Sequence, residues 1–184
     1  MEKFITQQRK LYPVSDSSMT MLLEKAEEII FKKGARVISE GKRDSDAYFM
    51  KEGLARAFVE RDGKDVTLWF ATEGEMLVLT SEAVSSVNIE IVEDSVLYRI
   101  SRKQLDMLFE QSLELANWGR KMLEHYIAEY ERYFTDYSWT GAQQQYENLL
   151  QEHPGLLQKV PLKHIASYLQ ITPQSLSRIR AKIK

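Results

Sequence analysis

Arg178, Arg180, Lys182 and Lys184 place four cationic groups within seven residues, in a stretch that holds no carboxylate. Guanidinium and ammonium groups pair with phosphate oxygens, and a guanidinium also grips the edge of a guanine through two parallel hydrogen bonds. Between residues 154 and 184 there are six Lys or Arg and no Asp or Glu, a charge of +6. The remaining residues carry 19 basic and 27 acidic side chains, so the net charge of −2 conceals a division. A basic segment on an acidic body is the electrostatic footprint of a phosphate-binding module.

The pattern around these cations shows what must position them. Residues 161–184 read PLKHIASYLQITPQSLSRIRAKIK, two short helices with a tight break between them. Pro161 suits the first helical position, where its missing N–H needs no partner. Ile165, Ala166 and Leu169 share one face, and Ala166 is small enough for a second helix to cross closely. Thr172 is an N-cap followed by Pro173 at the first helical position. Leu176 and Ile179 point back to the first helix, which turns the cations outward. This is a helix-turn-helix, with 172–184 as its recognition helix. Its turn normally holds glycine, because the backbone there has positive φ; here Gln170 stands at that place, at a cost of roughly 1–2 kcal/mol.

Composition bounds the rest. A chain of 184 residues suits one medium domain and a small one, and 43% hydrophobic content is ordinary for a globular protein. The first 18 residues lack the apolar core of a signal peptide, and no run reaches the ~18 apolar residues of a membrane span, so a cytoplasmic location without membrane partners is expected. There is no cysteine, which excludes disulfides, thiolate-held iron–sulfur clusters and thiol redox sensing. His125, His153 and His164 are scattered, and none precedes residue 125. A metal enzyme on a β-barrel needs two or three strand histidines, and no nucleophile–base pair or Gly-rich phosphate loop is present. No catalytic site is expected, nor any metal.

Along the chain, 19–30 has the stripe of an amphipathic helix (Leu22, Leu23, Ala26, Ile29 or Ile30), capped by Ser17 or Ser18. Short apolar runs follow at 36–39, 47–51, 54–60, 66–70, 76–80, 87–92 and 95–100, broken by GKRDSD, EG, RDGK, TEGE and ED. Such spacing predicts a β-sandwich or jelly roll. Ser101 and Gln104 match a capping box, and helical periodicity continues, with a break near Ser112, to about Tyr137. In its second part Ala116, Gly119, Leu123, Tyr126, Ile127, Tyr130, Tyr133, Phe134 and Tyr137 recur at threes and fours, an a/d-type seam. So long a helix exceeds what a small β domain covers, so its free side is expected to meet the same helix of a second chain, with Ala116, Gly119, Leu123, Tyr126, Tyr130 and Tyr133 as dimerisation residues. Residues 138–145 form a hinge, with Thr140 capping the next helix, and a Pro154–Gly155 break leads into the helix-turn-helix. The expected fold is α+β: a β-roll domain at 1–111, a dimerisation helix and hinge at 112–139, and a helix-turn-helix domain at 140–184.

Phe31, Gly34, Ile38, Gly41, Asp46, Tyr48, Phe49, Gly53 and Arg56, within FKKGARVISEGKRDSDAYFMKEGLAR, stand where a cyclic-nucleotide-binding β-roll has them. With the long helix and the helix-turn-helix, residues 15–184 resemble the Crp/Fnr family of bacterial transcription regulators. The resemblance implies a jelly-roll-like sensor, a winged-helix-type DNA-binding domain, a homodimer on double-stranded DNA bearing an inverted repeat, and RNA polymerase as a further partner. It places Gln174, Ser177 and Arg178 on the front of the recognition helix for base contacts, Arg178 reading guanine and Gln174 pairing with adenine or bracing the arginine. Thr172, Ser175, Arg180 and Lys182 fall at phosphates.

The family's cyclic-AMP sensors hold the cyclic phosphate with a cassette that opens on Gly-Glu and supplies an arginine. Gly74–Glu75 resemble its start, but no basic residue lies between Lys64 and Arg99, and Ser85 takes the arginine's place by register. An anionic phosphate in a partly buried pocket needs a bidentate cation. Cyclic AMP is therefore not expected as effector, no cofactor is assigned, and any other effector is undetermined. Tyr48, Trp69, Phe70 and Tyr98 read as core aromatics rather than the lining of a cavity. The competing function is a regulatory module whose helix-turn-helix binds protein instead of DNA.

Overall fold

The computed structural model describes residues 2–79, 84–153 and 155–183. Thr80 at an expected strand end, 81–83 of the cassette-like stretch, Pro154 of the expected break and Lys184 of the cationic set lie outside them, as does the side chain of Tyr137. Two helices come first, α1 (Glu2–Leu11) and α2 (Asp16–Glu24), followed by β1 (Glu27–Phe31). The expected helix over 19–30 is thus displaced: it starts earlier, on Ser15 rather than Ser17 or Ser18, with the Ser15 side chain accepting from the Ser18 N–H. It stops at Glu24 because Ile29, Ile30 and Phe31 pair with a later strand. The branched and aromatic side chains at 29–31 suit a strand as well as a helical stripe, and the open sheet edge decides between them. Helix α1 was not expected at all. Its stripe is broken by Gln8, which is buried and donates from Nε2 to the Gly74 carbonyl at 2.5 Å.

The roll continues with β2 (Arg36–Ile38), β3 (Ala47–Arg61), β4 (Lys64–Ala71), β5 (Met76–Leu79) and β6 (Asn88–Ile100). The sheet is antiparallel in the order β1-β6-β3-β4, with β2 on β6 and β5 on β3. Two expected pairs of strands are each one long strand. The Glu52–Gly53 and Glu93–Asp94 breaks are irregularities of the β3–β6 ladder, where the register shifts near Glu52 and Leu54. Gly53 has φ of +112°, and a Cβ there would lie 2.1 Å from the Ser95 hydroxyl, so only glycine lets the strand bend at this point. The same hydroxyl accepts from the Leu54 N–H and donates to the Glu93 carbonyl, repairing the interrupted ladder. RDGK forms the β3–β4 hairpin, with Asp62 and Gly63 both at positive φ.

Helices complete the chain: α3 (Arg102–Gln111), α4 (Leu113–Trp139), α5 (Ala142–Glu152), α6 (Leu156–Lys159), α7 (Leu162–Tyr168) and α8 (Pro173–Ile183). The Ser101–Gln104 capping box and the break at Ser112 are present. The expected hinge at 138–145 is instead a break at Thr140–Gly141, and Gly141, not Thr140, is the N-cap of α5. Among the described residues no strand follows Ile100, so the C-terminal unit consists of helices without wing strands.

Three apolar clusters hold these elements. One joins α1–α4 to the roll through Phe4, Met19, Leu22, Phe49, Leu105 and Trp118. A second fills the roll with Ile38, Tyr48, Met50, Ile89, Ile91 and Leu97. Tyr48 and Tyr98 are buried core aromatics, as their sequence context implies. The third cluster crosses between units: Leu54 and Val92 of the roll pack with Leu149, Ile165, Leu169 and Leu176.

Candidate nucleic-acid interface

The helix-turn-helix forms as its spacing dictates. Ile165, Ala166, Leu169 and Leu176 are buried, and Ile171 and Ile179 pack against them. Pro161 is the N-cap of α7, one place before the position expected for it. The turn closes with Ile171 N–H donating to the Ala166 carbonyl and Gln170 N–H to the Ser167 carbonyl, the double bond pattern of a Schellman C-cap. That motif needs a left-handed residue, and Gln170 supplies it with φ of +52°. Thr172 then caps α8, its hydroxyl accepting from the Ser175 N–H at 3.1 Å.

Each candidate contact on α8 has a definite place. Gln174, Ser177 and Arg178 are exposed on one side of the helix, one turn apart. Ser177 donates to its own Pro173 carbonyl at 3.0 Å, which leaves its oxygen as an acceptor. Thr172 and Ser175 bond to each other at 3.0 Å beside the helix N-terminus, and Arg180 and Lys182 are exposed toward the other end. Among the described residues, Arg178, Arg180 and Lys182 make no ion pair. The surface therefore offers cations and a carboxamide as donors to an external acceptor, and hydroxyl oxygens beside them as acceptors.

The rear of the same unit is engaged with the roll. Ser167 of α7 accepts from the Thr67 N–H at 2.9 Å and donates to the Asp65 carbonyl at 2.7 Å. Tyr168 lies between Phe70 of β4 and Tyr133 of α4, with ring centroids 5.6 and 5.5 Å away. Lys159 pairs with Glu93 at 2.7 Å. Beneath this contact is a buried cation. Arg56 is 3% exposed and forks onto both Asp65 oxygens at 2.6 Å. It also reaches Glu90 Oε2 at 2.7 and 2.9 Å and Thr67 Oγ1 at 3.1 Å. Burial alone would raise the Asp65 pKa, but Arg56 overrides it and holds the carboxyl below the usual range. His164 is pushed below its ordinary value by burial first and then by the Arg56 charge, with Asp65 opposing. Sequence reasoning assigned Arg56 only to a family pattern and missed Ser167 and His164, which carry no signal until β4 lies beneath them.

Helix α4 divides its apolar residues between two sides. Leu115, Trp118 and Met122 are buried against the roll. Of the expected dimerisation residues, three turn inward. Gly119 lies against α3, where a Cβ would come within 2.7 Å of the Phe109 ring. Tyr126 accepts from the Met76 N–H at 2.7 Å, and burial pushes its pKa above the ordinary value, so it remains a neutral hydroxyl. Tyr133 packs on Tyr168. Ala116, Leu123 and Tyr130 lie on the other side with Ile127 and Phe134, at spacings of three and four; Tyr130 is 69% exposed and Phe134 64%.

At the cassette-like stretch, Glu75 accepts from the Thr72 N–H and hydroxyl within its own turn. Ser85 is buried and satisfied by the Val87 backbone. Between Glu75 and Ser85 the sequence supplies no lysine or arginine, and the neighbouring Lys42 and Arg43 meet this stretch through their backbones, the Lys42 carbonyl accepting from the Ser85 N–H and Arg43 bridging to Val84. Among the described residues no cluster of His, Asp or Glu has the makings of a metal site. No described helix is long and apolar enough to cross a membrane.

Residues 28–112 match the family model described as the cyclic nucleotide-binding domain. No curated protein matches the chain. Solved structures resemble it over most of its length. FixK2 from Bradyrhizobium japonicum is 17% identical with a TM-score of 0.78, over 86% of this chain and 84% of that one. The c-di-GMP-responsive global regulator CLP of Xanthomonas campestris is 14% identical with a TM-score of 0.72, over 92% and 91%. A protein of Eubacterium rectale assigned to the Crp/Fnr family of transcriptional regulators is 16% identical with a TM-score of 0.70, over 94% and 87%. Residues 28–112 thus belong to the cyclic nucleotide-binding domain family, and the chain carrying them has the fold of the Crp/Fnr regulators.

Proposed function

We propose that the protein is a homodimeric, sequence-specific DNA-binding transcription regulator that does not respond to cyclic AMP. The observation that carries this reading is the front of α8, where Gln174, Ser177 and Arg178 stand exposed on a helix whose opposite side is locked into the turn. Arg178 reads a guanine through O6 and N7, and Gln174 an adjacent adenine. Thr172, Ser175, Arg180 and Lys182 meet phosphates and set the register. The likeness to solved regulators, one a c-di-GMP-responsive regulator and another of the Crp/Fnr family, supports the class and not a particular effector.

The dimer seam is the outer stripe of α4: Ala116, Leu123, Ile127, Tyr130 and Phe134 at heptad spacing. Two such chains present two recognition helices about 34 Å apart and require an inverted repeat. The cyclic-AMP exclusion rests on the missing arginine and on Glu75 and Ser85 being spent within their own turns. Selection from a randomised duplex library at two salt concentrations tests the reading. An enriched inverted repeat is expected. Weak, strongly salt-dependent binding without enrichment would contradict it.

A further inference from the structure

Strand β4 ends the sheet order β1-β6-β3-β4, so one side of its backbone has no neighbouring strand among the described residues. Unpaired N–H and C=O groups on an edge are costly when covered and sticky when open. Ser167 fills this gap. Its hydroxyl accepts from the Thr67 N–H and donates to the Asp65 carbonyl, as the next strand would. The Asp65 carboxylate is meanwhile held by both arms of Arg56, a β3 residue, so Asp65 joins the roll to α7 by its two ends. Leu54 and Val92 beneath, Tyr168 between Phe70 and Tyr133, and Lys159 on Glu93 surround this bond.

The contact uses only the rear of the helical unit. It centres on α6 and α7, with Leu149 of α5 and the inward Leu176 of α8 in the same cluster, and leaves the Gln174, Ser177 and Arg178 side of α8 exposed. The unit's rear cation Lys159 is neutralised by the acidic roll, while Arg178, Arg180 and Lys182 stay available. A contact that hid the DNA surface would pair these cations instead.

We propose that Ser167 is a latch on the β4 edge that holds the helix-turn-helix in one DNA-presenting position. A position fixed before binding spares the ordering cost of docking two helices at a set spacing. The latch itself stands on the contact; its consequence for affinity rests on the DNA-binding reading above.

The test uses the full chain with Ser167→Ala and, independently, Glu93→Lys, which sets like charges against Lys159. Amide hydrogen exchange without DNA reads the latch, and affinity for the selected inverted repeat reads its consequence. Ser167→Ala is expected to speed exchange at Thr67 about tenfold, the worth of one net hydrogen bond, with the rest of the roll unchanged. Both variants are expected to lower affinity several-fold. For Glu93→Lys this runs against the simple charge effect, since an added cation alone would raise it. Unchanged protection at Thr67 overturns the latch. Altered protection with unchanged or higher affinity overturns its presenting role. A chain that shows the exchange response yet selects no DNA keeps the latch and refutes the DNA reading.

Discussion

Arg56 and Arg178 are the same side chain in opposite circumstances. Arg56 lies inside the roll with Asp65, Glu90 and Thr67 around it and its guanidinium 4.1 Å from the centre of the Phe58 ring. Arg178 lies on α8, exposed and, among the described residues, without an ion pair. The first cation has lost its water and is compensated in full, so its partners are part of the fold. The second keeps its water and its donors, as a group proposed to meet an external partner would. The difference teaches that a guanidinium's role here is set by what has already been placed around it: one chemistry serves structure in the roll and is proposed for recognition on α8.

The largest break in this comparison comes from Arg56→Met. It leaves two carboxylates facing each other without a cation, and a loss of about 3 kcal/mol in chemical denaturation is expected. Arg178→Ala should change stability by under about 0.5 kcal/mol. Equal effects on stability would erase the distinction. Next, Arg178→Ala should cost about 1–3 kcal/mol of binding to the selected site and relax preference at one base pair, measured against single-base variants. Lys182→Ala is expected to weaken all sequences alike and to reduce the salt slope by about one. Equal loss on selected and random DNA for Arg178→Ala would remove its base-reading role.

Smaller effects sharpen the picture at the turn and at the latch. Gln170→Gly relieves the left-handed backbone at φ of +52°, and a gain of about 0.5–1 kcal/mol is expected in thermal unfolding. No gain would mean that the Schellman turn holds Gln170 without strain. His164 provides the pH dependence. Its folded pKa is depressed by burial and by Arg56, with Lys163 adding to this and Asp65 and Glu90 opposing. The unfolded chain therefore binds more protons as pH falls below the ordinary histidine value of 6.5, and stability should decline from there downward. Asp65 has the same sign, with a further decline as pH falls below 3.8. Denaturation of the chain and of His164→Gln at pH 7.5 and 5.5 isolates the histidine; identical declines in both would exonerate it.

The helix-turn-helix was legible in all but the exact place of Pro161, because its constraints are local. Two proline-marked starts, a small residue at the crossing and four apolar positions repeat within twenty residues, and the unpaired cations follow by exclusion. Even the strain at Gln170 followed from the turn's geometry. The roll was legible as a set of strands but not as a ladder: Glu52–Gly53 and Glu93–Asp94 have turn composition yet only bend strands that remain paired. Glu27–Phe31 was misread because two periodicities agree over five residues and only a partner strand separates them. On α4, the seam of threes and fours carried no information about which residues face the roll, so Gly119, Tyr126 and Tyr133 were counted with the exposed stripe.

Local spacing and charge alone thus determined most of the kinds of element, the two helices of the helix-turn-helix and the absence of lysine and arginine between Lys64 and Arg99, since each depends on residues close in sequence. Tertiary structure alone decided that Ser167 completes the edge of β4, that Asp65 serves Arg56 and α7 at once, and that the rear of the helical unit rests on the roll. Those contacts join residues about a hundred positions apart. Their partners are selected by which backbone groups the sheet leaves unpaired, a property that no stretch of sequence possesses by itself.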